Sequence, residues 1–557
     1  MKRKKYRNTA IVLCALLALS GCGTQTSRDA SSSTEVATSE EMAVATASTI
    51  DTNGLFSDRD LEGTYDESEA VAIQLSGNTA SCQSSSVAID GGTVTITVEG
   101  IYLLSGTLND GQIVVNAADT DKVQLVLSGA DITSSTSAAI YALEADKVFV
   151  TLAEGTENTL TNGGEYVAID DNNIDAVIFA KTDLTLNGSG SLTVNAQAGH
   201  GVVSKDDLVI TGGSYTITAA SHGLSGKDSI AIANGTFTIT SGKDGIHAEN
   251  ADDLSLGTLY IADGSYTIAA QGDAVSAQGA LQIDGGTFDL YTGEGSASVD
   301  MTSSDAGQMG GGPRGKMAAQ TEVNAAETDE DSVSQKGIKG ESTYAINGGT
   351  FTIDSVDDCL HAGGAMTIAA GEFTLSSGDD AVHCDDAIAI QSGTFTIPYC
   401  YEGIEGLSIT IEDGTFDITS NDDGLNAAGG ADSSGFGGFG GRPQDTFVAD
   451  SDSFITINAG TFTVVSSGDC IDSNGALTIN GGTLALTCNG SGDTALDCDG
   501  TYTNSGGEVT TNDGSEENPG QMGGGKGGAQ SGGQPGGERP DDLGGKHPEG
   551  QATPSNS

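Results

Sequence analysis

The chain has 557 residues, a formal net charge of −57, 82 glycines, no tryptophan and only 5% aromatic residues. So large an excess of carboxylates excludes nucleic acid as a partner, because phosphate binding needs clustered Lys and Arg. It fits a solvated extracellular surface, a cation-binding surface, or both.

At the amino terminus Lys2, Arg3, Lys4, Lys5 and Arg7 precede the apolar run Ile11 to Leu19, which ends in Leu19-Ser20-Gly21-Cys22. The run is too short to stop in a bilayer, so residues 1–21 read as an export signal that is removed. The last four residues resemble the lipobox of bacterial lipoproteins. That resemblance implies lipidation of Cys22, a membrane contact through the lipid alone, and a place on the extracellular face of the cell membrane. Residues 22–50 are rich in Ser, Thr and Ala and read as a flexible tether. Seven cysteines remain beyond Cys14 and Cys22, at irregular spacing and with no CxxC pair. They read as small core residues rather than a disulfide framework or a zinc ribbon.

Residues 51–505 are expected to form one all-β domain, a right-handed parallel β-helix. The segments Gly190-Ser-Leu-Thr-Val, Gly235-Thr-Phe-Thr-Ile, Gly349-Thr-Phe-Thr-Ile, Gly371-Glu-Phe-Thr-Leu, Gly393-Thr-Phe-Thr-Ile and Gly460-Thr-Phe-Thr-Val belong to a series that returns every 22 residues or so. Apolar residues alternate with Thr, placing one set inside and the other outside. A second alternating strand precedes each glycine, as in Ile230 and Ile232 or Met366 and Ile368. Propeller blades need about 40 residues, so stacked coils with a continuous apolar core remain. At about 4.8 Å per coil, the recognisable repeats predict a rod on the order of 50 Å long. Val123–Leu127 and Val148–Leu152 extend the pattern toward the amino end. Glycine-rich insertions at residues 300–335 and 428–447 read as loops leaving the rod, and residues 506–557 as a disordered tail.

A third segment of each repeat carries the chemistry. Asp244, Asp273, Lys336, Asp358, Asp380, Glu402, Asp423 and Asp469 each precede a small residue and an aliphatic one. His247, Lys339, His361, His383, Glu405, Asn426 and Asp472 lie three residues after members of that series. Stacking brings equivalent positions about 4.8 Å apart, so Asp357, Asp358, Asp379 and Asp380, together with Asp422 and Asp423, predict a calcium site. Calcium accepts six to eight oxygens in loose geometry. Zinc at His361 and His383 is the alternative ion, and turn-forming Asp residues are the alternative without any ion. His361, His383, Glu402 and Glu405, with Tyr399 and Tyr401 as the nearest aromatic cover, are the candidate ligand contacts. Lys336 and Lys339 either neutralise the acids or, in a lyase, act as a proton-abstracting base with lowered pKa.

The Gly-Thr-Phe-Thr-Ile strand, the Asp-Asp-small-aliphatic-x-His/Asn pattern, Lys336-Gly-Ile-Lys339, the glycine-rich loops and the lipobox together resemble the bacterial surface carbohydrate-binding β-helix lipoproteins. That family is similar in fold and calcium-site layout to family 9 pectate lyases. The resemblance covers roughly residues 55–505 and implies binding of acidic pectic or cellulosic polysaccharide with calcium held by the Asp row. The lyase pattern resembles Asp-Asp-x-x-Asp, whereas His361 and His383 stand at its last position here. A non-catalytic, monomeric binding protein is therefore expected. A calcium-dependent polyuronate lyase and a surface spacer without sugar affinity are the alternatives.

Overall fold

The computed structural model describes residues 50–299, 301, 334–428 and 452–519. The export signal, Cys22, the tether up to residue 49, and most of both insertions and of the tail lie outside the described residues. The chain divides into compact units Met1–Ala43 and Val44–Ser557, and all described residues belong to the second.

The described residues form 43 strands in one long sheet system, with a single short α-helix at Asp58–Glu62. Pairing is antiparallel only near the amino end, between Val71–Gly77 and Thr79–Cys82 and between Val87–Asp90 and Thr93–Ile96. Elsewhere each strand pairs in parallel with its equivalents one repeat away, an architecture of the β-helix or solenoid kind.

Three parallel ladders recur. The first joins the Gly-Thr-Phe strands, so that Tyr215, Phe237, Tyr266, Phe288, Phe351, Phe373, Phe395, Phe416 and Phe462 occupy one row. Their rings stack face to face, with centroid separations from 4.5 to 5.2 Å. The preceding glycine follows from this stack. Gly371 has φ +148°, and a Cβ there would lie 2.7 Å from the Phe373 ring. The small residue is needed so that the ring can fold back beneath its own strand entry. A second ladder aligns Ile230, Leu259, Leu281, Tyr344, Met366, Ile388 and Ile409. A third, three-residue ladder aligns Ile246, Val275, Ile338, Leu360, Val382, Ile404, Leu425 and Ile471. All three rows point into one continuous core. Burial of each large side chain contributes about 1.5–3 kcal/mol.

The seven described cysteines are unbridged, and all but Cys82 are buried. Cys359 and Cys470 take the inward position that Gly337, Ala381, Gly403 and Gly424 take on other coils. At the carboxyl end, ladder pairing runs past the expected boundary at residue 505. Glu508–Thr511 pairs with Thr483–Leu486. Gly507-Glu508-Val509 repeats the Gly-Thr-Phe pattern in a smaller form, and Val509 packs on the core. The tail as read from the sequence therefore begins too early.

Before the first strand, Ile50–Thr64 runs lengthwise over the outer face of the second ladder. The Ile50 N–H donates to Gln282 Oε1 at 2.8 Å, and the Phe56 ring lies 6.1 Å from that of Tyr260. Asp60 is 1% exposed and accepts from Lys147 Nζ at 2.8 Å and Thr185 Oγ1 at 2.5 Å. Burial would raise its pKa, but the bonds from Lys147, Ser57 and Thr185 outweigh burial and hold it below the usual carboxylate value.

Candidate functional site

After each Phe strand the chain turns a corner, and one residue at that corner stitches to the next coil. The Asp273 N–H donates to Asp244 Oδ1 at 2.9 Å, and the Lys336 N–H to Asp273 Oδ1 at 2.8 Å. Likewise the Asp380 N–H donates to Asp358 Oδ1 at 3.1 Å and the Asp469 N–H to Asp423 Oδ1 at 2.6 Å. His200 and His222 do the same with Nδ1, accepting from the backbone of His222 and Asp244. At Asp244, Asp273, Asp358 and Asp423 one carboxylate oxygen thus replaces a turn hydrogen bond, and the second oxygen remains for other work.

Three residues on, the side chains face outward in a single row: His247, Ser276, Lys339, His361, His383, Glu405, Asn426 and Asp472. Corner and row together carry almost all the site residues expected from the sequence. At their centre Lys336, 6% exposed, places Nζ 2.8 Å from Asp357 Oδ1 and 2.7 Å from Asp358 Oδ2. His361 Nδ1 lies 2.8 Å from the same Asp358 oxygen. Burial alone would raise the Asp358 pKa, but Lys336 and His361 hold it well below the ordinary value. Burial would likewise depress Lys336, yet Asp358 and Asp357 keep it well above the ordinary lysine value. Asp357 is raised, first by burial and then by Asp358. Asp357, Asp358 and Asp379 each offer an oxygen within 4.8 Å of the others, but a buried ammonium already brings positive charge to two of them.

One coil further, His383 Nδ1 lies 3.0 Å from Asp380 Oδ2 and 2.9 Å from Glu405 Oε2. Burial opposes its protonation, and Asp380, Asp385 and Glu405 overcome that to raise its pKa far above the usual value. The Asp380 carboxyl is itself pushed well up by burial, with Glu405 and Asp379 adding to the effect.

Among the described residues no Lys, Arg or His follows His383, and the acids continue. The pKa of Glu402 is raised well above normal by burial and then by Glu405. That of Asp423 is raised by burial and by Glu402, Asp422, Asp469 and Asp472. Asp469 is pushed up to about 8, mainly by burial, with Asp472, Asp497 and Asp493 reinforcing it. Asp469, Asp472 and Asp497 bring oxygens within 4.8 Å of one another. Asn426, 4% exposed, donates from Nδ2 to Glu402 Oε2 at 3.0 Å, while its Oδ1 is buried without a hydrogen-bond partner. A buried carbonyl oxygen amid carboxylates, with nothing to accept from, suits a hard cation.

The remaining expected contacts divide. Tyr401 is buried and its hydroxyl donates to Asp422 Oδ2. Tyr399 is 39% exposed at the outer end of the Thr394–Tyr399 strand. Lys339 is bonded to Glu341 Oε1 at 2.6 Å; burial would lower its pKa, but Asp273 and Glu341 raise it. Both lysines thus hold their protons, the opposite of what a general base needs. The rings of His361 and His383 stack 5.1 Å apart at 7°. Zinc sits about 2.1 Å from an imidazole nitrogen, in the ring plane, and parallel planes at that separation share no such point.

Sequence reading missed Asp497. Thr494-Ala-Leu-Asp497 repeats Asp469-Cys-Ile-Asp472 with Thr for the first acid, and that substitution hides it. Lys243, Asp244, His247, Lys339 and Glu341 line a cleft of about 820 Å³ beside Leu254, which is 72% exposed.

A carbohydrate-binding domain-containing protein of Acetivibrio thermocellus is 44% identical to this chain over 128 residues, which are 23% of this chain and 45% of that protein. The chain therefore spans under half the length of that relative. A solved structure described as a polysaccharide lyase-like protein from C. thermocellum, a gadolinium derivative, shares 36% identity. It covers 39% of this chain and 87% of its own, with a TM-score of 0.37. The family described as carbohydrate-binding domain-containing proteins matches residues 90–381 and 379–518, so the chain belongs to that family.

Proposed function

We propose that this protein is an exported lipoprotein, anchored through Cys22 on the extracellular face of the bacterial membrane, that binds acidic polysaccharide with the help of calcium. In this reading the domain is a monomeric, right-handed β-helix with coils of about 22 residues. The observation that carries the calcium assignment is the unbalanced stretch of the polar face. Glu402, Asp423, Asp469 and Asp497 gather with the unpartnered Asn426 Oδ1 where no Lys or Arg is bonded to them among the described residues. Asp357, Asp358, Asp379, Asp380 and Asp422 extend this surface, but Lys336 and His383 balance the first coils. Bound calcium supplies positive charge that carboxylates or hydroxyls of a glycan can share. Without Trp, binding leans on these polar contacts rather than on a broad stacking platform.

The test is to incubate the mature protein with polygalacturonate, with and without chelator, and to follow both retention and ultraviolet absorbance. Calcium-dependent retention with flat absorbance is the expected result. Retention that ignores chelator removes calcium from the reading. Rising absorbance, lost in Lys336→Ala or Lys339→Ala, identifies a lyase, and no retention at all identifies a spacer.

A further inference from the structure

Two exposed aromatic side chains lie off the acidic corner. Tyr291 is 43% exposed and Tyr399 39%, while every other described Phe and Tyr is buried or half-buried. Single exposed rings are ordinary on a protein surface, but these two share a row. On the outer face of the first ladder, Tyr291 pairs with Asp354, Asp354 with Ser376, and Ser376 with Tyr399. Three coil steps separate the two tyrosines by about 14 Å along the rod.

Tyr399 reaches that row through an irregularity. Where one strand advances two residues, from Thr374 to Ser376, its neighbour advances three, from Thr396 to Tyr399. The extra residue is Pro398, which has no N–H to give to a ladder and so fits a bulge. In an unbroken register Pro398 would oppose Ser376, and Tyr399 would take the inward place of Ser377. The bulge re-aims the ring outward. Tyr291 is braced from the side. Gly295, at φ +72°, lies against its ring, where a Cβ would come within 2.8 Å. The Ser296 N–H donates to Asp354 Oδ1 at 2.7 Å, and Val299 packs on Gly378. Residues 293–299 thus border the row on its corner side, and the exposed hydroxyls of Thr352, Thr374 and Thr396 run along the other.

A bordered row with an aromatic ring at each end and hydroxyls beside it matches an extended chain of pyranoses. Their C–H faces can lie on the rings while their hydroxyls meet Thr. We propose that a polysaccharide chain lies lengthwise along this row, parallel to the rod axis, with one sugar stacked on Tyr291 and another on Tyr399. The inference rests on the carbohydrate-binding reading and adds a contact line on a different face from the row of His361, His383 and Glu405. Only Cys400 and Tyr401 separate Tyr399 from Glu402 in the chain, so one polysaccharide can meet both the rings and the acidic stretch.

The test titrates the mature protein, in calcium, with galacturonide oligomers of graded length. Binding is followed by calorimetry and by tyrosine difference absorbance, which no Trp obscures. Affinity for the parent should rise once the oligomer outgrows about 14 Å. Tyr291→Ala and Tyr399→Ala should each weaken binding of the long oligomer about tenfold and remove the gain with length. Tyr291→Phe and Tyr399→Phe should keep both. Calcium uptake and the thermal midpoint should be unchanged throughout, since both rings are exposed. Loss in only one of the two Ala variants overturns the shared line. Altered calcium uptake also overturns it, by making the tyrosine a support of the cation site. Parent binding that neither Ala substitution weakens overturns this inference alone and leaves the carbohydrate reading in place, whereas a parent that binds no oligomer overturns both.

Discussion

Two stretches of the same corner use nearly the same residues and reach opposite electrostatic states. Around Lys336, the acids Asp357 and Asp358 are buried yet bonded to an ammonium and to His361. Around Asp423, acids in equivalent register face further acids, and their carboxyls are driven toward the neutral form. A lysine at one corner position separates the two. The first stretch therefore resembles a structural ion cluster, and the second an unmet demand for charge.

Removing Lys336 is the most forceful way to break the contrast. Lys336→Met leaves two buried carboxylates uncompensated and should cost about 3–5 kcal/mol in chemical denaturation. If the two stretches differ only in that lysine, calcium should then stabilise the variant more than the parent. A smaller effect comes from pH. Asp423, Glu402 and Asp469 have folded pKa values above their unfolded ones, so their stabilising contribution is present at acid pH and is lost as pH rises toward about 8. Asp358, held low, works the other way and loses its contribution only as pH falls below the usual Asp range. With chelator, the thermal midpoint should drop between pH 5 and pH 9 by the equivalent of about 2 kcal/mol after allowing for solvent screening. Calcium should flatten that slope; an unchanged slope separates the ion from these acids. The smallest change expected is for Asn426→Leu, which removes the unbonded Oδ1 together with the Nδ2 donor to Glu402. Stability should fall by about 1 kcal/mol, while calcium affinity by titration calorimetry should fall roughly tenfold.

Much of the framework was legible before any coordinates. The Gly-Thr-Phe series announced the stacked ring row, and the spacing of His361, His383, Glu405 and Asn426 put them at equivalent positions of successive coils, while the side they face came from the structure. The balance of charge was not legible, because it depends on where a flexible lysine side chain ends. Lys336 had been weighed as a base with lowered pKa, and only its approach to Asp357 and Asp358 decides otherwise. Nor could spacing reveal that one oxygen of Asp244, Asp273, Asp358 and Asp423 is taken by the backbone of the next coil. The strand Glu508–Thr511 escaped because Val509 is a small stand-in for Phe beside a glycine-rich tail.

By itself the sequence determined the repeat, the inward and outward parity of the Phe-bearing strands and of those preceding each glycine, and the rows in which the polar residues stand. Those properties follow from a two-residue strand period and from coils that must stack in register to bury Phe and Ile. Tertiary structure decided which carboxylates are neutralised, which remain in conflict, and that Ile50–Thr64 lies lengthwise along an outer row. These depend on contacts between residues far apart in sequence, at distances of a few ångströms where burial sets the strength of every charge, and no local pattern encodes them.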